Sequence, residues 1–130
     1  MEYKNKSFSI EQINVNKLAK KYKTPLYCYS YKKLKENINF IKSKFKKISP
    51  IICFSVKSNS NLRILKVFKK FQLGADVVSQ GELMKALKAG ISPKKIVFSG
   101  VGKTFSELTF AINKKILLIN IESKNEILQI

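Results

Sequence analysis

Of the 25 lysines in the chain, Lys57 is set apart by what precedes it. It follows directly on Ile51-Ile52-Cys53-Phe54-Ser55-Val56, a short, nearly continuous apolar run. Such runs are typical of strands buried on both faces of a parallel sheet. The carboxyl ends of these strands form the ligand-facing side of parallel α/β proteins, so a lysine there is positioned to meet a ligand. A solvated lysine is also an ordinary way to end a strand, and position alone leaves both readings open. Asp76, the sole aspartate, lies within Gly74-Ala75-Asp76-Val77-Val78. A carboxylate among such neighbours is costly to bury unpaired and needs a partner. A neighbouring catalytic lysine would supply one; a carboxylate that merely orients a loop is the competing reading. Glu82 is fully accounted for by a capping box, Ser79-x-x-Glu82. Asn120 and Glu122 flank the end of a further apolar run, again on the expected ligand side, where either could simply close a strand.

Ser99-Gly100-Val101-Gly102-Lys103-Thr104 has the look of a phosphate loop but not its spacing, since Gly100 lies only three residues before Lys103. An NTPase is rejected on that ground, and a tight turn after a strand is the better account. The chain has no histidine, and Cys28 and Cys53 are 25 positions apart, so no metal site is expected. Both cysteines sit in apolar stretches and read as reduced core thiols.

The elements that position these residues alternate regularly. After the run at 51–56 come Ala75–Val78, Ile96–Phe98 and Ile116–Ile121, each a strand candidate. Helical spacing separates them. Leu62, Leu65, Phe68 and Phe71 mark 61–72. Leu83, Met84 and Leu87 mark 80–89, closed by Gly90 and Pro93. Leu108, Ala111 and Ile112 mark 105–114. Ser79-x-x-Glu82, Thr104-x-x-Glu107 and Ser123-x-x-Glu126 each follow a strand candidate and open a helix. This is the grammar of consecutive βα units, four in number, in a parallel sheet. Four such units suit a small open sheet or the first half of a TIM-type (β/α)8 barrel of about 250 residues. The helix opened by Ser123 is still running at Ile130, which favours the half-barrel and a truncated chain. Upstream, Leu34, Ile38, Ile41, Phe45 and Ile48 form one helix face. Thr24-Pro25 introduces Leu26–Ser30 as another strand candidate, and Leu18 and Tyr22 suggest a short N-terminal helix. The expected division is residues 1–30, a helix and strand segment, and 31–130, the partial barrel.

Composition sets the outer bounds. At 130 residues, 45% hydrophobic and 26% charged, the chain reads as globular. The net charge of +18 raises the question of nucleic acid, but Arg63 is the only arginine and the lysines are scattered. Neither nucleic acid nor membrane is expected as a partner. No apolar run approaches the span of a bilayer, and the N-terminus lacks the apolar core of a secretory signal, so a cytoplasmic location is expected.

Five segments, in order and at matching spacing, resemble the pyridoxal-phosphate decarboxylases with an alanine-racemase-type barrel, the ornithine, diaminopimelate and arginine decarboxylase family. They are Thr24-Pro25-Leu26-Tyr27, Phe54-Ser55-Val56-Lys57-Ser58-Asn59, Gly74 through Leu83, Phe98 through Thr104, and Asn120-Ile121-Glu122-Ser123. The Phe98–Thr104 segment is similar to the diaminopimelate branch in particular. Phe54 stands where the family has Tyr, and Ser55 and Ser58 where it has alanines. The resemblance covers roughly residues 20–130 and implies a fold whose N-terminal segment joins a β domain. It implies pyridoxal 5′-phosphate as cofactor, bonded to Lys57, with Asp76 orienting that lysine and Glu82 in the polar wall of the cofactor site. It further implies decarboxylation of meso-2,6-diaminopimelate to L-lysine, a small amino-acid substrate and a homodimeric parent enzyme. The family's ring-stacking histidine, Gly-rich phosphate site, substrate arginine and catalytic cysteine would all lie downstream. This chain alone is therefore expected to be inactive. A non-catalytic pyridoxal-phosphate-binding regulatory barrel and an inactive truncated gene product are the alternatives.

Overall fold

The structure, a computed structural model, describes the backbone of residues 2–4 and the whole of residues 7–130. It divides into two compact units, one ending at Ser49 and the other running from Pro50 to Ile130.

The first unit opens with an antiparallel meander, β1 (Glu2–Lys4), β2 (Ser7–Ile10) and β3 (Ile13–Asn14). Ile10 pairs with Ile13 across a two-residue turn, Glu11-Gln12, in which both residues have positive φ (50° and 69°). Two left-handed residues match the twist of paired strands, although neither is the usual Asn or Gly. Helix α1 (Val15–Tyr22) is capped by Asn14, whose side chain accepts from the Lys17 N–H at 3.2 Å. Helix α2 (Tyr31–Lys44) is capped twice: the Ser30 hydroxyl accepts from the Lys33 N–H, and Glu11 Oε1 accepts from Ser30 Oγ (2.7 Å) and the Lys32 N–H (2.6 Å). These bonds, the Ser30 hydroxyl foremost, hold the Glu11 carboxyl below its usual range. Leu26–Ser30 corrects the expectation of a strand. After a cis Thr24–Pro25 bond the segment has no ladder partner among the described residues, and it ends as the cap of α2. Of the face expected at 34–48, only Ile38 is buried, and the helix stops at Lys44, before Phe45 and Ile48.

The second unit is the parallel series. Strand β4 (Cys53–Ser55) leads through a 3-10 turn (Val56–Ser58) to α3 (Leu62–Lys70), and β5 (Gly74–Val77) leads to α4 (Gln80–Lys88). Then follow β6 (Ile96–Phe98), α5 (Phe105–Asn113), β7 (Leu118–Ile119) and α6 (Lys124–Gln129). The four strands are parallel and lie in chain order. The apolar runs were longer than the strands they produced: 51–56 yields three paired residues and 116–121 only two.

Val56, Leu65, Val77, Leu83, Ile96, Phe98 and Leu108 are fully buried, between the sheet and its helices. Each such side chain contributes about 1.5–3 kcal/mol of transfer free energy. Phe54 stacks on Phe68 of α3 (centroids 4.0 Å apart, planes at 23°), which fixes the outward face of β4. Gly74, at the start of β5, is required by its surroundings: a Cβ there would stand 2.1 Å from the Lys95 carbonyl oxygen and 2.7 Å from Cys53 Sγ. No helix among the described residues is long and apolar enough to cross a membrane.

Candidate functional site

The carboxyl ends of the four strands form one edge, and the residues singled out from the sequence distribute along it. Lys57 sits in the turn that ends β4. Val56 beneath it is completely buried, the Asn59 N–H closes on the Val56 carbonyl (3.0 Å), and Ser58 Oγ donates to the Ser55 carbonyl (2.7 Å). The turn is thus anchored while Lys57 itself is exposed. Its amine has no hydrogen-bond or ion-pair partner among the described residues. The preceding Ser55 Oγ is buried and also without a partner.

Asp76 is half-buried in β5, in register with Ser55 of β4 and Val97 of β6. The sequence leaves open a lysine partner or a loop-orienting role, and the hydrogen-bond partner in the structure is Ser99. Ser99 Oγ donates to Asp76 Oδ1 at 2.6 Å, and Asn120 Nδ2 donates to Ser99 Oγ at 3.0 Å. Ser99 follows β6 and Asn120 follows β7, so three successive strand ends are joined by side chains. Ser99 could have been found from the sequence only by assuming the parallel register, which puts it two positions beyond the residue opposite Asp76. The Asp76 charge, after desolvation, also helps to push the nearby Cys53 thiol upward from its ordinary pKa. Cys28 and Cys53 are both free and only half-buried.

Glu82 belongs to the cap of α4. Its N–H donates to Ser79 Oγ (3.3 Å), and its Oε2 accepts from the Val78 N–H (3.0 Å). The same device recurs in the next units. Thr104 and Glu107 make the reciprocal capping box, and Glu107 Oε1 also takes the Gln80 N–H at the start of α4 (3.0 Å). Those backbone bonds, the Gln80 one first, lower the Glu107 pKa. Glu126 Oε2 accepts from the Glu122 N–H (2.9 Å) and from Lys103 Nζ (3.1 Å). Its pKa is lowered first by the Glu122 N–H and then by Lys103. Lys103 is buried, and its amine also donates to the Gly100 carbonyl (2.6 Å). The lysine that imitated a phosphate loop is turned inward to close a turn in which Gly100 and Gly102 both have positive φ. Glu122 is exposed, and only its N–H is engaged. No group of side chains suited to a metal occurs among the described residues.

Parallel βα units in chain order, with an accessible lysine closing the first strand and a braced carboxylate in the second, define the opening half of a (β/α)8-type barrel. Residues 31–130 match the family described as pyridoxal-dependent decarboxylase, pyridoxal binding domain, and the chain belongs to that family. It is 42% identical over 127 residues to the diaminopimelate decarboxylase of Aquifex aeolicus, covering 98% of this chain and 30% of that protein. To the diaminopimelate decarboxylase of Helicobacter pylori it is 46% identical over 114 residues, 88% of this chain and 28% of that one. The crystal structure of diaminopimelate decarboxylase from M. jannaschii in co-complex with L-lysine superposes with a TM-score of 0.95 at 36% identity, over 98% of this chain and 31% of that one. The chain therefore spans about a third of the length of the proteins it matches. The residues present fit a pyridoxal cofactor. An accessible amine without a competing partner can condense with its aldehyde, and the unpartnered Ser55 hydroxyl leaves a polar atom to be met.

Proposed function

We propose that this chain is the cofactor-anchoring front part of a diaminopimelate decarboxylase, and that Lys57 is the residue to which pyridoxal phosphate is bonded. The observation that carries the reading is the 42–46% identity to relatives of that activity over nearly the whole chain. Pyridoxal phosphate, when bound, supplies the ring that takes up the electron pair released as carbon dioxide leaves. Within that scheme Lys57, with its amine deprotonated, is the residue that would hold the cofactor through its aldehyde and would give way to the substrate amine. Asp76 supplies a fixed negative charge one strand away and orients the Lys57 amine. Glu82 holds the start of α4, and through it the wall of the site, in place. The reaction converts meso-2,6-diaminopimelate to L-lysine and carbon dioxide, in a homodimeric parent enzyme.

The test is a chimera in which this chain replaces the matching N-terminal third of the Helicobacter pylori enzyme. Carbon dioxide release from meso-diaminopimelate is expected, and Lys57→Ala is expected to abolish it. Undiminished release from the Lys57→Ala chimera would refute the assignment. The 130-residue chain by itself is expected to give no turnover.

A further inference from the structure

We infer that Ser99 and Asn120 are positioning residues, a two-member relay that fixes the Asp76 carboxylate on the strand next to the one that Lys57 ends. The inference rests on Lys57 being the cofactor lysine. Its own ground is the direction of the hydrogen bonds. An ionised carboxylate only accepts, so Ser99 must commit its single proton to Asp76 Oδ1 at 2.6 Å. Ser99 Oγ is then left as an acceptor, and Asn120 must present its NH2 group, at 3.0 Å. Every proton in the relay therefore points toward Asp76. The relay ties together the ends of β5, β6 and β7, so the carboxylate cannot turn without breaking a bond to the neighbouring strand. Asp76 Oδ2 takes no hydrogen bond among the described residues and remains free to accept one.

None of these bonds is needed to complete the backbone ladder. Ser99 and Asn120 already satisfy it through their own N–H groups, which donate to the Val77 and Phe98 carbonyls. The side-chain relay is an addition to the fold. The Asn120 side chain is exposed and meets Ser99 on the same edge as Lys57.

The test uses the full chain, pyridoxal phosphate, borohydride reduction and peptide mapping, so that the reduced adduct at each lysine is counted without reference to turnover. In the wild type, Lys57 is expected to carry far more adduct than any other lysine. Ser99→Ala is expected to lower the Lys57 yield about tenfold, the scale of one lost hydrogen bond to a charged group. Ser99→Thr, which keeps the hydroxyl, retains the yield. Asn120→Asp, which replaces the donor by an acceptor, lowers it at least as far as Asn120→Ala. In an Asp76→Asn background Ser99→Ala adds no further loss, because the relay acts only through that carboxylate. An unchanged yield in Ser99→Ala, a loss additive with Asp76→Asn, or a Thr variant as poor as Ala would each overturn the relay while leaving Lys57 as the cofactor lysine. A wild-type chain labelled no more at Lys57 than elsewhere would overturn the cofactor assignment, and the relay with it.

Discussion

Gly74→Ala adds one methyl group at the start of β5, where the added carbon would stand 2.1 Å from the Lys95 carbonyl oxygen and 3.1 Å from its carbon. Non-bonded carbon and oxygen need roughly 1 Å more than the shorter of these, since contacts soften only beyond about 3 Å. A backbone carbonyl cannot swing aside as a side-chain tip does. The segment leading into β6 must move, which loosens the pairing of Ala75 with Ile96. Overpacking in a rigid surrounding costs about 1–3 kcal/mol and occasionally more. With backbone as the obstacle, about 3 kcal/mol is expected here. For a unit of about 80 residues, at about 4–8 °C per kcal/mol, the melting temperature falls by at least about 12 °C. Two other glycines calibrate the measurement. Gly81 lies in α4 with its nearest neighbour, Ser79 Oγ, at 3.9 Å, so Gly81→Ala is expected to raise stability by about 0.5 kcal/mol. Gly102 has open space around it but a φ of +70°, so Gly102→Ala is expected to cost about 1 kcal/mol from backbone strain alone. Thermal unfolding by circular dichroism orders the three variants. A Gly74→Ala protein melting within 2 °C of the wild type, on the scale of ~4–8 °C per kcal/mol, would refute the reasoning. So would full rescue by Cys53→Ala, because that change removes the thiol at 2.7 Å and leaves the carbonyl in place.

Lys103→Met leaves the buried Glu126 carboxylate without its cation and is expected to lower the melting temperature more than the double variant Lys103→Met/Glu126→Gln, in which no lone charge remains. Glu107→Ala frees the Gln80 and Thr104 N–H groups and is expected to cost about 1 kcal/mol, read from urea unfolding. Because Glu107 and Glu126 have folded-state pKa values below 4.5, their contribution is complete above that pH and is lost as the pH falls through the folded values. Melting temperatures measured between neutral pH and pH 3 are accordingly expected to drop less steeply in Glu107→Gln than in the wild type. Leu65→Ala, at a fully buried position of α3, is expected to cost about 2–5 kcal/mol in the same unfolding assay.

The parallel half of the molecule was legible because its strands come from short apolar runs and three of its four helices open with a hydroxyl and a glutamate three residues apart. Ile96–Phe98 was placed to the residue, and the helices of the second unit to within two residues at each end. The first unit was hidden for local reasons. Its hairpin turns on Glu11 and Gln12, residues that give no turn signal, and β3 is two residues long. Leu26–Ser30 has the composition of a strand, yet pairing is a property of two segments and cannot be read from one. At the carboxyl edge, the place of Lys57 directly after a strand was visible. The partner of Asp76 was not, because the Ser99 contact spans 23 residues and depends on the register between β5 and β6. The capping spacing was right for all three helices, but only Glu107 returns to its own cap residue; Glu82 and Glu126 reach one residue further back.

The side-chain ties along the carboxyl edge have a temporal consequence. The start of α4 is held by Glu107, 27 residues later; Asp76 by Ser99, 23 later; Ser99 by Asn120, 21 later; and the Lys103 loop by Glu126, 23 later. Each of these ties is thus completed by the unit that follows. On a ribosome adding about 5–20 residues per second, each of these four ties waits on the order of one to five seconds for its later partner to emerge. After the locally closed Lys57 turn, this edge matures from front to back, one βα unit behind the growing end of the chain.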